Sequence, residues 1–420
     1  MGKTKPFDIP KRTIWEAYKR VRKNGGAPGI DGQNLEGFEA KLSDNLYKLW
    51  NRMSSGSYIP EAVRRVDIPK SSGGTRPLGI PTVVDRIAQM AARLTIEPAL
   101  DAVFHEDSYG HRARKSAHQA LARARKRCWR YDWVVDLDIK GFFDTIDHEL
   151  MMKAVRHHAP PKWVELYIDR WLKAPVRTTE GALEERGRGT PQGGVISPLL
   201  ANLYLHYAFD MWMVREHSEV PFERSADDIV LHCRTQEQAE ELREEITRRL
   251  AGCKLTAHPE KTKVVYCRDG KRREDYERTE FDFLGYTFRP RMARSHDGSY
   301  FLNFTPGVSR KAKQAMKAEM RSWKAYRKVS GELEDLSQIF NAKLRGWEIY
   351  YGKFRRSEMY EIYRMFQRIL VKWARSKYKR VKRSWKKAAE LLRKMALARP
   401  YLFEHWTRGC YAIGRVRRAV

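Results

Sequence analysis

A chain of 420 residues with 42% hydrophobic content is long enough for two or three domains with their own cores. Its 82 Lys and Arg against 52 Asp and Glu leave a formal charge of +30, an excess that points to a polyanionic partner. No run approaches the roughly 20 apolar residues of a membrane span. Met1-Gly2-Lys3-Thr4-Lys5-Pro6 lacks an apolar signal core, and the five scattered cysteines form no Cys-x-x-Cys pair. A membrane protein, a disulfide framework and a zinc site are therefore not indicated, and the expectation is a soluble, cytoplasmic protein.

In chain order, Ile14 to Arg22 carries Ile14, Ala17, Tyr18 and Val21 at helical spacing. Asn24-Gly25-Gly26-Ala27-Pro28-Gly29-Ile30-Asp31-Gly32 then breaks the helix with four glycines. Such a loop can cradle phosphate, lie close to a nucleic-acid strand, or simply connect. Leu35 to Ser54 reads as a second helical stretch. From Val63 to Lys70 apolar and basic residues alternate, and a glycine turn leads on to Pro81. This predicts a β-hairpin carrying Lys70 and Arg76 on its two arms. Two cations aimed into one space suit a triphosphate; solvated surface charge is the plain alternative. Thr82 to Leu100 predicts a helix capped by Thr82, with Asp85 in its first turn.

A basic loop from Ser108 to His118, with Arg112, Arg114 and Lys115, leads into a helix near Ser116. The run Asp132-Trp133-Val134-Val135-Asp136-Leu137-Asp138-Ile139 predicts a buried strand whose period-two alternation puts Asp136 and Asp138 on one face. Asp144 and Asp147 read as turn and N-cap residues. In Gly187–Pro198, Gly193 and Gly194 remove side chains beside Gln192, and Ser197-Pro198 reads as a cap followed by a helix-starting proline. The apolar helix to about Met213 should be a core element.

Ser225-Ala226-Asp227-Asp228 lies between two strand-like runs, Pro221–Arg224 and Ile229–Cys233, which predicts a hairpin with two adjacent carboxylates at its tip. Asp is depleted in strands. A hard divalent cation such as Mg2+, held by carboxylate oxygens, is one reason for the pair; a polar turn without chemistry is the other. A helix from Glu237 to Leu250 follows. Phe281–Phe288 reads as a short aromatic strand with a central glycine. Strands alternating with helices through residue 288 predict an α+β domain on an antiparallel sheet.

From Ser309 the chain reads as long basic helices: Ser309 to Lys328, Leu333 to Tyr351 and Glu358 to about Lys379, punctuated by Gly331 and Gly352. From Pro306 onward, 31 basic residues stand against 9 acidic ones, so most of the net charge lies there. Interleaved aromatics either stack on unpaired bases or pack helix to helix. Helical spacing favours packing, with Tyr350 and Tyr351 open to both.

These motifs stand in the order of a reverse transcriptase. They are Ile68-Pro69-Lys70 with Thr75–Pro81, Asp136–Asp144, Thr190-Pro191-Gln192-Gly193-Gly194, Ala226-Asp227-Asp228, Lys261-Thr262 and Phe283-Leu284-Gly285. In detail the chain resembles the reverse transcriptase/maturases encoded by bacterial group II introns, of the kind lacking an endonuclease domain. Asn24–Gly32 resembles their N-terminal extension loop, and Asn341–Gly352 their thumb, or X, domain. The resemblance implies a right-hand polymerase fold: fingers and palm with an antiparallel sheet over 1–300, a helical thumb/maturase domain over 301–380, and a basic nucleic-acid-binding segment over 381–420.

The resemblance also implies an RNA-directed DNA polymerase that promotes intron splicing and copies the intron during mobility. Its partners would be group II intron RNA, an RNA template with a DNA primer, dNTPs and a DNA target, and it would associate with the nucleoid during mobility. Two Mg2+ ions would be held by Asp138, Asp227, Asp228 and the Ile139 carbonyl. Lys70, Arg76, Phe143, Gln192 and Lys261 would serve the incoming nucleotide: Phe143 as a gate against the ribose 2′-hydroxyl, Lys261 as a proton donor to pyrophosphate. Arg64, Arg65, Arg112, Arg114, Lys115, Tyr350 and Tyr351 would contact nucleic acid. Two departures stand out. Ser225 replaces the family's usual Tyr, and Arg112-Ala113-Arg114-Lys115 replaces Arg-Pro-Gly followed by a basic residue. They leave room for a splicing factor with a weak or silent polymerase, or a copy serving DNA repair or defence.

Overall fold

The alternation around Asp136 and Asp138 predicts a strand. The computed structural model, which describes residues 5–69, 74–295, 297–327 and 329–411, has one at Trp133–Asp138. It is an inner strand of a four-stranded sheet ordered Phe222–Ser225, Asp228–Cys233, Trp133–Asp138, Lys263–Tyr266, and its first two pairings are antiparallel. Val134, Val135 and Leu137, with Ile229, Val230 and Leu231 beside them, are at most 1% exposed. Each contributes about 1.5–3 kcal/mol by burial. The helix Gln236–Gly252 packs on this sheet through Ala239, Leu242, Ile246 and Leu250.

The predicted basic hairpin is present as Val63–Pro69 and Thr75–Ile80, with Ile68 opposite Arg76. Val176–Arg177 and Leu183–Glu184 extend it to four strands. Thr82 caps the helix Val83–Val103, as its position predicts. Burial pushes the Asp85 carboxyl up to about 6, and the Tyr58 and Thr82 hydroxyls both donate to it. The glycine-rich loop is neither a free connector nor an open cradle. Arg86 donates to the carbonyls of Gly25 (3.1 Å) and Ala27 (3.0 Å), and a Cβ on Gly26 would lie 2.3 Å from its guanidinium.

By contact density the chain divides into two compact units, Met1–Val265 and Tyr266–Val420. In the second, Phe281–Phe283, Tyr286–Arg294 and Tyr300–Val308 form an antiparallel sheet. Helices Arg310–Ser322, Leu333–Arg355, Tyr360–Lys377 and Trp385–Ala398 follow. Most of the aromatics read as helix packing do pack. Trp323 stacks on Phe340 and Trp347, and Tyr363, Phe366 and Trp373 are fully buried. Gln367 Oε1 accepts from the Trp406 indole and lies 2.9 Å from Nε2 of His405, whose pKa burial lowers to about 3. Among the described residues no helix is long and apolar enough to cross a membrane.

Four local expectations fail, and one unexpected strand is present. Leu35–Ser54 is two helices, Leu35–Glu39 and Leu42–Ser54. Ser197 is inside its helix, capped by Ile196, because its hydroxyl is turned to Thr190 at 2.8 Å. Phe281–Phe288 is two strands: Leu284 and Gly285 have φ of 50° and 78°, so the glycine makes a tight hairpin turn. Tyr300–Val308, a strand absent from the reading, has too few alternating residues to stand out. Gly352 lies inside the helix Leu333–Arg355, against the Glu348 carboxylate.

Arg114 stands at the glycine position of the family's turn and has φ of 64°, a conformation that costs a side-chain-bearing residue about 1–2 kcal/mol. Arg114→Gly is expected to raise the unfolding free energy by about 0.5–1 kcal/mol after glycine's chain entropy is subtracted. Urea denaturation followed by circular dichroism measures it; an unchanged or lower midpoint contradicts it.

Candidate active site

Three strands carry the site. Asp138, the last residue of its strand, pairs with Asp228, and Asp228 pairs on its other side with Ser225. Ser225, Asp228 and Asp138 therefore form a row across the sheet. Directly opposed residues have Cβ atoms about 4.5–5.5 Å apart, and like charges so placed are destabilising. Ala226 and Asp227 make the two-residue turn, with Ala226 at φ 59°. The sequence thus sets three carboxylates at one end of the sheet, two of them at facing positions.

What holds the hairpin there is buried and ionic. Arg224, immediately before Ser225, is fully buried and makes a two-pronged pair with fully buried Asp210, at 2.7 and 2.6 Å. Its other nitrogen donates to Asn202 (3.0 Å) and to the Ala226 carbonyl in the turn (3.3 Å). Asp210 ends a π-helical stretch, His206–Asp210, inserted between Ser197–Leu205 and Met211–Glu216. Along the hairpin's outer edge, Arg224 exchanges backbone hydrogen bonds with Asp107 and Tyr109. Gly110 then passes so close to the turn that a Cβ would lie 2.4 Å from the Ala226 nitrogen. Glu223, Arg127, Asp107 and His232 form a second buried network: Arg127 donates to Glu223 (2.6 Å) and Asp107 (2.7 Å), and His232 Nε2 lies 2.7 Å from Glu223.

The carboxylates are electrostatically linked. Lys261 Nζ lies 2.5 Å from Asp138 Oδ2. The Asp138 carbonyl accepts from the His258 nitrogen at 2.7 Å, which brings the loop bearing Lys261 to the strand end. Burial, then the negative charge of Asp138, pushes the Asp227 carboxyl above its usual range, while Arg76 and Lys261 oppose the rise. Among the described residues, no three His, Cys, Asp or Glu side chains converge on one metal-holding point. The donor chemistry nevertheless fits a hard dication: carboxylate oxygens that repel one another, one of them neutralised by an ammonium. Ile139, the residue after the strand end, is buried and bridges to Ala257.

Around this centre the other expected residues are spread. Arg76 is exposed on its hairpin arm, and Lys70 lies outside the described residues. Phe143 is half-buried against Phe142, and its carbonyl accepts from the Thr190 nitrogen at 2.7 Å. Gln192 lies 3.5 Å from Asp144 Oδ2. Gly193 removes a side chain for the protein's own sake: a Cβ there would lie 2.5 Å from the Gly79 carbonyl. The Gly79 nitrogen donates to the Gln192 carbonyl at 2.7 Å, so the Arg76 hairpin is stitched to the Gln192 loop. A cavity of about 400 Å3 adjoins them, lined by Leu78, Gly79, Asp144, Arg186 and Gln192 among others.

Of the residues expected at nucleic acid, Arg114 is exposed. Arg112 is turned inward, bonded to Asp101 and to the carbonyls of His105 and Ser108. Lys115 reaches the Glu106 carbonyl, and Arg65 pairs with Asp67 at 3.0 Å. Arg64 is half-buried, its Nε without a partner among the described residues. Tyr350 donates to the Leu284 carbonyl at 3.0 Å, and Tyr351 packs on Gly285. Sequence reasoning missed Asp210, Glu223 and Arg224, for which the only signal was charge within apolar runs.

A carboxylate-tipped hairpin beside an acid-ended strand, with Lys261 and Arg76 near enough to act on Asp227, is the arrangement the fold builds at this end of the sheet. The chain belongs to the reverse transcriptase (RNA-dependent DNA polymerase) family, which it matches over residues 68–288, and residues 313–391 match the group II intron maturase-specific domain. It is 35% identical to protein YkfC of Escherichia coli over 65% of this chain and 78% of that one. It is 34% identical to the group II intron-encoded protein LtrA of Lactococcus lactis, over 59% of this chain and 40% of LtrA. It is 30% identical to a yeast COX1/OXI3 intron 1 protein, over 47% of this chain and 23% of that protein.

Removing one partner of a buried ion pair strands the other. Asp210→Asn or Arg224→Met alone is expected to cost about 3–5 kcal/mol of stability, and the double variant clearly less than the sum. Denaturant titration of the four proteins measures this; additive losses contradict it.

Proposed function

We propose that this chain is an RNA-directed DNA polymerase that also acts as a group II intron maturase, binding the folded intron and copying RNA from a DNA primer. The observation that carries the reading is the row of Asp138 facing Asp228, with half-buried Asp227 beside them and Lys261 and Arg76 near enough to shift its proton affinity.

Two Mg2+ ions, when bound, would supply activation of the primer 3′-hydroxyl and charge for the departing pyrophosphate. The chain's own residues do the rest. Asp138, Asp227 and Asp228, with the Ile139 carbonyl, hold the ions. Lys70 and Arg76 draw the dNTP triphosphate between the hairpin arms and offset charge that grows on it. Phe143 bars a ribose 2′-hydroxyl by bulk, and Gln192 orients the nucleotide from the loop stitched to Gly79. Lys261 releases Asp138 and delivers a proton to the departing pyrophosphate. The fingers and palm occupy residues 1–300 in this reading, the thumb 301–380 and a basic binding segment 381–420. Recognition of intron RNA runs through shape and phosphates, for which the charge of the second half is suited.

Ser225 stands in the acidic row where a tyrosine ring is usual, so primer support beside the ions rests on a smaller side chain. Primer extension on an RNA template tests the reading. Wild type should make cDNA in Mg2+, Asp227→Ala none, and Ser225→Tyr more per binding event than wild type. No cDNA from wild type or Ser225→Tyr above the Asp227→Ala control would leave a splicing factor with a silent polymerase.

A further inference from the structure

A cavity of about 310 Å3 lies within the second unit, between the inner sheet strand Tyr286–Arg294 and the start of the helix Arg310–Ser322. Its wall carries five cations, Arg289, Arg291, Arg310, Lys313 and Lys317. They are not loose surface charges. Arg291 is buried where Gly307 leaves room for it: a Cβ on Gly307 would lie 2.8 Å from the guanidinium. It donates to the carbonyls of Thr287 and Thr305 and lies 3.3 Å from Glu358. Glu358 and Glu361 also hold Lys313 and Lys317. These carboxylates fix the positions of three cations, which reduces the ordering cost of binding.

The other two cations are left for something else. Arg289 lies 3.9 Å from Glu280 and feels the charge of Glu358 without bonding to it, and its Nε is buried with no hydrogen-bond partner among the described residues. Such an orphaned donor costs about 1–3 kcal/mol. Arg310 is exposed and has no acidic partner among the described residues. It also opens the helix, whose first turn holds basic residues and no acidic one. The helix macrodipole disfavours cations at that end and favours an anion. The sequence therefore gives up helix stability to concentrate positive charge at one concave place.

We propose that this cavity is a phosphate-binding site that seats a backbone phosphate of a bound polynucleotide. Arg289 and Arg310 donate to the phosphate oxygens and Lys313 and Lys317 supply charge from behind. A polynucleotide is favoured over a free phosphate because exposed Lys311 carries the charge outward along the same helix. A chain with successive phosphates uses that continuation. This choice of ligand rests on the polymerase and maturase reading; the phosphate chemistry of the cavity does not.

The test compares the full-length wild type with Arg289→Gln/Arg310→Gln and with Gln314→Glu, which keeps every cation but adds a carboxylate to the cavity wall. Inorganic phosphate is titrated while thermal unfolding is followed, with chloride at matched ionic strength as control. Binding of a single-stranded RNA is measured between 50 and 200 mM salt. Phosphate should raise the wild-type midpoint and leave both variants unmoved. The slope of log affinity against log salt should fall by about 0.7 in both variants, the single-strand value for one phosphate, so the wild-type advantage shrinks by a factor of about 2.6 across that range. Variants that respond to phosphate as wild type does would overturn the site. Loss of the phosphate response with an unchanged salt slope would overturn the polynucleotide as ligand. A wild type that makes no cDNA yet passes both arms would sink only the polymerase reading.

Discussion

The acidic hairpin depends on one interaction, the fully buried pair of Arg224 and Asp210. Taking two ions out of water is costly, and a pair of apolar residues of similar volume can be as stabilising. Position rather than stability explains this pair. Arg224 precedes the acidic row, and its guanidinium reaches forward to the Ala226 carbonyl inside the turn. Asp210 fixes it from the π-helical stretch; extra residues of this kind re-aim side chains at functional sites. Through Asn202 the same guanidinium is tied to the Gly110 carbonyl (2.6 Å from the Asn202 amide), and Gly110 lies against the turn from outside. The carboxylates thus rest on a frame with little freedom, as a site that aligns reacting groups requires.

The acidic end of the sheet carries repulsion that the fold does not remove. Asp138 faces Asp228, and Asp227 is half-buried beside them. Lys261 relieves part of it by pairing with Asp138. The arrangement is stable enough to fold and remains short of positive charge, which is the condition for drawing in cations. The same logic recurs with opposite sign in the second unit, where cations crowd a cavity without enough carboxylates to balance them.

Much of this was legible in the sequence, because the relevant signals are local. Period-two alternation placed Asp138 at a strand end, and two strand-like runs around Ser225-Ala226-Asp227-Asp228 gave the hairpin. Thr82 and Asp147 cap helices by near-neighbour hydrogen bonds, so spacing alone revealed them. What remained hidden depends on partners distant in sequence. Arg224 reads as an ordinary charged strand residue until Asp210, fourteen positions earlier, is folded against it. Glu223 and Arg127 are joined across 96 positions. Glycines misled for the same reason. Gly26 and Gly193 look like openings for a ligand, yet each makes room for the protein's own Arg86 or Gly79. Arg112 looked like a nucleic-acid contact by charge alone, and its side chain is spent on Asp101 and two carbonyls.

In the proposed reading Asp138 and the hairpin carboxylates form the polymerase centre, so their loss removes the chemistry and not the binding of primer–template. Single-turnover incorporation of one dNTP by Asp138→Asn, measured with the affinity for RNA–DNA primer–template, tests it most directly. The account predicts that incorporation falls at least about a hundredfold while the affinity stays within a few-fold of wild type. Incorporation near the wild-type rate, or a fall explained by lost primer–template binding, would contradict it.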